Sequence, residues 1–253
     1  SGDDQEGSSD GWLLEGTAFA SQQKGAVAAA EAYRRLYINV QSAASPDATV
    51  QTVLVTSPEP GAGKSTTALN LAVAAARGGR RTLLVDADLR KPQIQELLSE
   101  RKGPFLTDLL ENPDTAPEEA ERLYTPVENL SVATPRDQPE DPDVVLSSPK
   151  MERFIERLRA SFDLIIFDTP PVLAVADATS LSSQCDATIV VAQAGKTEAE
   201  ELGQAAEELR EAHAEVAGTV LNRFNPSEPS SYTSRYQYQD YAYYSDDAQE
   251  ASV

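Results

Sequence analysis

From position 50 onward the chain alternates short, nearly continuous apolar runs with longer stretches of helical pattern. The runs are Thr52–Thr56, Thr82–Val85, Leu130–Ala133, Leu164–Phe167, Thr188–Ala192 and Val216–Leu221. Runs this short, without polar alternation, predict strands buried on both faces, and the helical stretches between them supply the covering layers. The expected fold is a doubly wound, mostly parallel α/β sheet. Upstream, residues 17–44 have high helix propensity and predict a helix. A charged helix is predicted over 197–213, with His213 near its end in a polar, capping-type role. Segment 111–148, rich in prolines and acids, predicts a short helix, one strand and a long loop. Residues 1–16 are rich in Gly, Ser and Asp and read as a flexible acidic segment. The pattern stops after "VLNRF", so residues 225–253 read as a flexible tail beyond a domain of residues 17–224.

Composition narrows the function. A length of 253 residues fits one α/β domain with tails. The formal charge of −20 gives a strongly acidic surface. It argues against a nucleic-acid partner, which needs clustered Lys and Arg to displace counterions from phosphates. Cys185 is the chain's one cysteine, which excludes an internal disulfide and a multi-cysteine metal site. No apolar run approaches the roughly 18 residues needed to span a bilayer. The opening "SGDDQEG" has neither the basic start nor the apolar stretch of a secretory signal.

The chemistry concentrates after three of the predicted strands. "SPEPGAGKSTTALNLAVAAA" (57–76) follows the first and opens a helix. It satisfies the end of the phosphate-loop pattern with Gly63, Lys64 and Ser65, while Pro58 holds the pattern's first glycine position. Gly61 and Gly63 let the backbone curl so that amide N–H groups face phosphates, and the helix start presents its positive dipole end to the same anion. Lys64 is placed to bridge the β- and γ-phosphates, and the Ser65 hydroxyl to bind Mg²⁺. "LLVDADLRKP" (83–92) ends a strand with Asp86, Asp88 and Arg90, and "IIFDTPP" (165–171) ends another with Asp168. Carboxylates there project into the crevice where open α/β sheets bind ligands. They supply what phosphoryl transfer requires, a metal site and a group to orient or deprotonate the nucleophile.

With these motifs the sequence resembles the bacterial tyrosine kinases that govern capsule and exopolysaccharide production, from about Ala28 through the tail. Leu83, Leu84, Val85, Asp86, Asp88 and Arg90 match the family's three-apolar-then-D-x-D-x-R motif, and Ile165, Ile166, Phe167, Asp168 and Pro171 its D-x-x-P motif. The resemblance implies a P-loop NTPase fold of the deviant Walker A type and an ATP- and Mg²⁺-dependent protein-tyrosine autokinase. It implies a nucleotide loop of Gly61, Ala62, Gly63, Lys64, Ser65 and Thr66, with Arg90 as a further cofactor contact. It implies catalytic roles for Lys64, Asp86, Asp88 and Asp168, with Ser65, Asp88 and Asp168 on the metal and Asp88 activating the tyrosyl oxygen. Asn222 sits where related ATPases contact adenine, and equally where a turn would follow the last strand.

The family also explains "SYTSRYQYQDYAYYSDD" (231–247), where Tyr232, Tyr236, Tyr238, Tyr241, Tyr243 and Tyr244 resemble its phosphorylated tyrosine cluster. Such a cluster is offered by one subunit to its neighbour. Full phosphorylation adds roughly −9 to −12 charge, which favours subunit separation. The resemblance further implies a homo-oligomer, other protein tyrosines as substrates, and a transmembrane polysaccharide co-polymerase-type activator, fused or separate. Localisation is then cytoplasmic, at the inner face of the membrane, through a segment outside residues 1–253. One departure concerns assembly: the family's E-x-x-R-x-x-R helix is met by Glu31 and Arg34, but Tyr37 holds the last position. Two rival readings are a dimeric switch ATPase of the partitioning or septum-positioning type and an ATP-binding adaptor with weak catalysis. The switch ATPases carry a second lysine five residues before Lys64, where this chain has Glu59.

Overall fold

A computed structural model describes residues 23–43, 49–98, 105–116 and 123–224. The elements run α1 (Gln23–Ala43), β1 (Thr52–Thr56), α2 (Lys64–Arg77), β2 (Thr82–Asp86), α3 (Ile94–Leu98), α4 (Leu106–Glu111) and a 3₁₀ turn (Pro113–Thr115). They continue with β3 (Tyr124–Val127), β4 (Leu130–Ala133), α5 (Pro142–Leu146), α6 (Pro149–Leu158), β5 (Leu164–Asp168), α7 (Asp177–Ser182), β6 (Ala187–Gln193), α8 (Ala199–Glu211) and β7 (Val216–Asn222). One sheet holds the strands in the order β3-β4-β2-β5-β1-β6-β7, parallel except for the β3–β4 pair. All six expected strands are present.

Strict alternation within the strands builds a core on each face of the sheet. Val53 and Val55 of β1, Leu84 of β2 and Ile166 of β5 pack on one side with Leu69, Leu71 and Val73 of α2. Leu54, Leu83, Val85, Ile165 and Phe167 point the other way, onto Met151, Phe154 and Leu158 of α6 and Leu181 of α7. Every residue of β1, β2 and β5 is buried, which is why these runs show no polar alternation in sequence.

Segment 111–148 is where the expectation and the structure part. It contains two strands, not one, and a helical turn, α5, inside the expected long loop. Pro126 hides β3 from a propensity reading, because proline cannot donate to a ladder and is confined to edges. β3 is the sheet edge. Asn129 closes its two-residue turn onto β4 at φ 65°, a left-handed conformation that asparagine tolerates. Pro142 occupies the first turn of α5, where its missing N–H costs nothing.

α1 lies on α2, with Val40 buried and Leu36 and Tyr37 packed against the same core. Tyr37 is therefore on the inward face of its helix, whereas Glu31, Arg34 and Arg35 are exposed. Glu31 and Arg35 pair with each other at 3.6 Å, one turn apart. The position that departs from the assembly motif thus serves the domain's own core.

α8 ends in a Schellman geometry, with Ala214 N–H donating to Leu209 O and His213 N–H to Arg210 O, both at 2.9 Å. His213 takes the left-handed position at φ 61° that glycine usually fills. Its capping role is thus a backbone one. A left-handed non-glycine residue costs about 1 kcal/mol or more, so His213→Gly is expected to stabilise the protein by about 0.5–1 kcal/mol after glycine's larger unfolded-state entropy. A urea midpoint that rises at unchanged slope would bear this out; a falling midpoint would show that the imidazole contributes more than the strain removes.

Candidate active site

Strand register brings the acids together before any side chain is considered. Asp86 of β2 and Asp168 of β5 are direct register partners, and Val55 of β1 pairs with Asp168 on the other side. The carboxyl ends of β1, β2 and β5 therefore open into one crevice, with the phosphate loop continuing from β1. Across the strand ends Ala87 N–H donates to Asp168 O at 2.8 Å.

The loop has the curl that its glycines allow, with Gly61 at φ 86° and Gly63 at φ 95°. At Gly63 a side chain is excluded twice, by the left-handed backbone and because a Cβ would collide with the Asn222 amide. Gly63 is also the N-cap of α2 and offers no side chain to cap it. The first intrahelical bond is Thr67 N–H to Gly63 O at 2.9 Å. The N–H groups of Lys64, Ser65 and Thr66 precede it and face outward from a positive helix end, an anion site by construction.

Lys64 is nearly buried and points at the acids. Its Nζ lies 3.1 Å from Asp88 Oδ2, 3.2 Å from Ser65 Oγ and 3.8 Å from Asp168 Oδ1. Burial alone would lower the Lys64 pKa, but Asp168 and Asp88 outweigh it and hold the ammonium above the ordinary lysine value. Asp168 is pushed up to about 6 by burial, against the pull of Lys64 and of the nearby Ser65 hydroxyl. Neither of its oxygens has a well-formed hydrogen bond. Asp86 is raised well above the carboxylate range by burial and then by Asp168. Its Oδ2 accepts from Ile94 N–H at 2.9 Å and so starts α3, while Oδ1 has no partner. Asp88 Oδ1 accepts from Lys91 N–H at 3.0 Å.

The donor set suits magnesium. Two buried oxygens of Asp168 without a well-formed hydrogen bond, and with Lys64 no nearer than 3.8 Å, are a costly arrangement unless a closer cation or donor joins them. Mg²⁺ takes one or two carboxylates, a hydroxyl and phosphate or water oxygens, not an all-protein cage. No group of three or more His, Cys, Asp or Glu among the described residues forms a ready ligand set.

Other candidates lie at the edges. Asn222, at the end of β7, donates from Nδ2 to Ala62 O at 2.9 Å and so braces the nucleotide loop. Thr66 forms part of the α2 start, its carbonyl accepting from Asn70. Arg90 is not turned to the loop: its guanidinium forms a bidentate pair with Asp177, both bonds at 2.9 Å. The tyrosine cluster, residues 232–244, lies outside the described residues. Sequence reasoning missed Lys196 and Thr197, which follow β6. Thr197 Oγ1 donates to Glu59 Oε1 at 2.9 Å, and Lys196 Nζ approaches Glu59 Oε1 at 4.0 Å and Pro60 O at 3.5 Å. Glu59 therefore anchors the outer wall of the loop within its own chain. Nothing in local spacing signals that contact, which joins residues more than a hundred positions apart.

The CobQ/CobB/MinD/ParA nucleotide binding domain family matches residues 53–242, and this agrees with the loop and the parallel sheet. Tyrosine-protein kinase YwqD of Bacillus subtilis is 37% identical over 202 residues, which cover 80% of this chain and 84% of YwqD. The chain belongs to the bacterial tyrosine kinases. Putative tyrosine-protein kinase EpsB of Ralstonia nicotianae is 34% identical over 205 residues, 79% of this chain but only 27% of that longer protein. Among solved structures the chimerical protein CapA2B2 superposes with a TM-score of 0.72 at 32% identity, covering 84% of this chain and 90% of that one. The domain is thus a nucleotide-binding protein-tyrosine kinase, and the crevice formed by β1, β2 and β5 is its candidate active site.

Proposed function

We propose that this kinase uses Mg·ATP to phosphorylate its own C-terminal tyrosines, Tyr232, Tyr236, Tyr238, Tyr241, Tyr243 and Tyr244, between subunits of a homo-oligomer. The observation that carries the reading is the convergence of Lys64, Ser65, Asp88 and Asp168 at the mouth of an uncapped, left-handed glycine loop. Lys64 turns from the acids to the β- and γ-phosphates when nucleotide enters. Ser65, Asp88 and Asp168 would hold the magnesium, which supplies charge neutralisation on the transferring phosphoryl group. The phenol oxygen attacks the γ-phosphorus, the new Oη–P bond forms, and the bond to the β–γ bridging oxygen breaks with its electrons leaving on ADP. Asp88 takes the phenol proton. Asn222 contacts the adenine as well as bracing the loop.

The role belongs to polysaccharide production, where subunit separation after phosphorylation couples the kinase to synthesis and export. A transmembrane activator of the co-polymerase type, fused or separate, holds the domain at the inner face of the membrane. No described helix is long and apolar enough to cross a membrane. The test is the intact mass before and after Mg·ATP, with phosphosites mapped by proteolysis. A ladder of additions between residues 232 and 244, absent from a variant with all six tyrosines changed to Phe, is expected. Mixing tail-less active chain with a Lys64→Met chain that keeps its tail should label only the latter. ATP hydrolysis without phosphotyrosine would instead place the chain among the switch ATPases.

A further inference from the structure

Between β2 and α3 the backbone runs from Ala87 to Gln93 without regular structure, yet it must hold the Asp88 carboxylate against Lys64. Ala87 and Leu89 of this loop pack into the core, and among the described residues its ion pairs to the rest of the fold are Asp88 to Lys64 and Arg90 to Asp177 and Asp143. Asp177 opens α7, nine positions beyond Asp168 on the other acid-bearing loop, and its side chain is fully buried. A buried carboxylate is tolerated only with a close, well-aligned partner. The two-pronged Arg90 fork meets that requirement at 2.9 Å on each arm. Asp143 of α5 lies 3.7 Å from the same guanidinium.

We infer that Asp177 is a positioning residue of the kinase reaction, and that Arg90 of the D-x-D-x-R motif acts through Asp177 to hold Asp88, not as a ligand of the nucleotide. The pair bridges the loops after β2 and β5 and adds a side-chain tie beyond the Ala87–Asp168 backbone bond, so it braces Asp88 opposite Asp168 across the crevice. Only a planar fork can do this: a lysine keeps the charge but forms a single flexible contact. The inference rests on the proposed role of Asp88, and it goes beyond the motif, which names Arg90 without a partner.

The test follows the rate of phosphotyrosine formation on the full chain against ATP concentration for Arg90→Lys, Asp177→Asn and the double variant. Each single change is expected to lower the maximal rate about tenfold or more, since misplacement of a catalytic group by about 1 Å costs on that scale. The half-saturating ATP concentration should stay within about twofold, and the double variant should be no slower than either single one, as for residues acting as one unit. A raised half-saturating ATP concentration in Arg90→Lys but not in Asp177→Asn would make Arg90 a nucleotide ligand and overturn the inference. So would additive losses, or a lowered melting temperature at full rate. Should Asp177→Asn fail to fold, Asp177→Glu keeps the charge and shifts the carboxylate; a full rate in that variant counts against the inference. Asp88→Asn in the same assay separates the two claims. If it is fully active, the role of Asp88 fails; if it is inactive while the pair variants run at full rate, positioning alone fails.

Discussion

Replacing Lys64 by methionine is expected to lower autophosphorylation by on the order of 10³-fold, the largest single loss in the domain. The reason is that this one ammonium serves two states. In the proposed reaction it neutralises charge on the phosphates. Without nucleotide it is the cation of the acid cluster, 3.1 Å from Asp88 and 3.8 Å from Asp168. Methionine has comparable length and no charge, so the carboxylates lose their counter-ion in a buried site. Breaking a buried pair costs about 3–5 kcal/mol if the remaining charges stay ionised. Here Asp86 and Asp168 already have raised pKa values, and uptake of a proton by the cluster limits the damage. The variant is therefore expected to fold, to melt somewhat lower, and to hold more proton on its carboxylates near neutral pH than the parent chain. Mass spectrometry of phosphotyrosine reads the first effect and a potentiometric comparison the last. Retention of more than about a tenth of the parent rate would contradict the assignment of Lys64 to the transferring phosphates.

Asp168→Asn is expected to move activity and stability in opposite directions. Activity should fall by roughly 10²–10³-fold, because the amide cannot replace an anionic metal ligand. The stability of the nucleotide-free, metal-free protein should rise. Asp168 is fully buried, its oxygens lack hydrogen bonds, and burial pushes its pKa up to about 6. A carboxyl that titrates higher in the folded state binds more proton there than in the unfolded chain between the two values. Stability is then fully present below the unfolded value of about 4 and is lost as pH rises to the folded value. The parent chain should lose stability from this group across the interval from about pH 4 to about pH 6, and Asp168→Asn should lack that decline. The gain at neutral pH should be on the order of 1 kcal/mol or more, read as a higher melting temperature in the presence of a chelator. Equal pH profiles for the two proteins would show that Asp168 is ionised and satisfied without a metal. Asparagine here exchanges function for stability because, in the proposed reaction, this acid serves the metal and not the resting fold.

Much of this was legible in the residues alone, for reasons that are local. The strands of the sheet centre are buried on both faces, so they could only be written as continuous apolar runs, and β1, β2 and β5 stood out. The phosphate loop was legible because a left-handed turn needs glycine at Gly61 and Gly63, and because a metal and a phosphate need a hydroxyl and an ammonium next to it. Asp86, Asp88 and Asp168 were legible as acids at strand ends. β3 was not, because Pro126 on an edge strand carries the opposite propensity. α5 was not, because a five-residue turn beginning at Pro142 has too few positions to show a period.

What only the tertiary structure decided is which of these residues face one another. The sheet register made Asp86 and Asp168 neighbours in a buried crevice, where burial raises both of their pKa values and Asp168 adds to the rise at Asp86. Long-range folding put Asp177 against Arg90, eighty-seven positions away, and drew a motif arginine off the nucleotide loop. It also set Thr197 on Glu59 and Asn222 over Gly63. By itself the sequence determined the six apolar strands, the loop and the inventory of charges, because each follows from backbone geometry and burial within a few residues. The pairing of those charges depends on strand order and loop closure across the whole chain, and no local pattern encodes it.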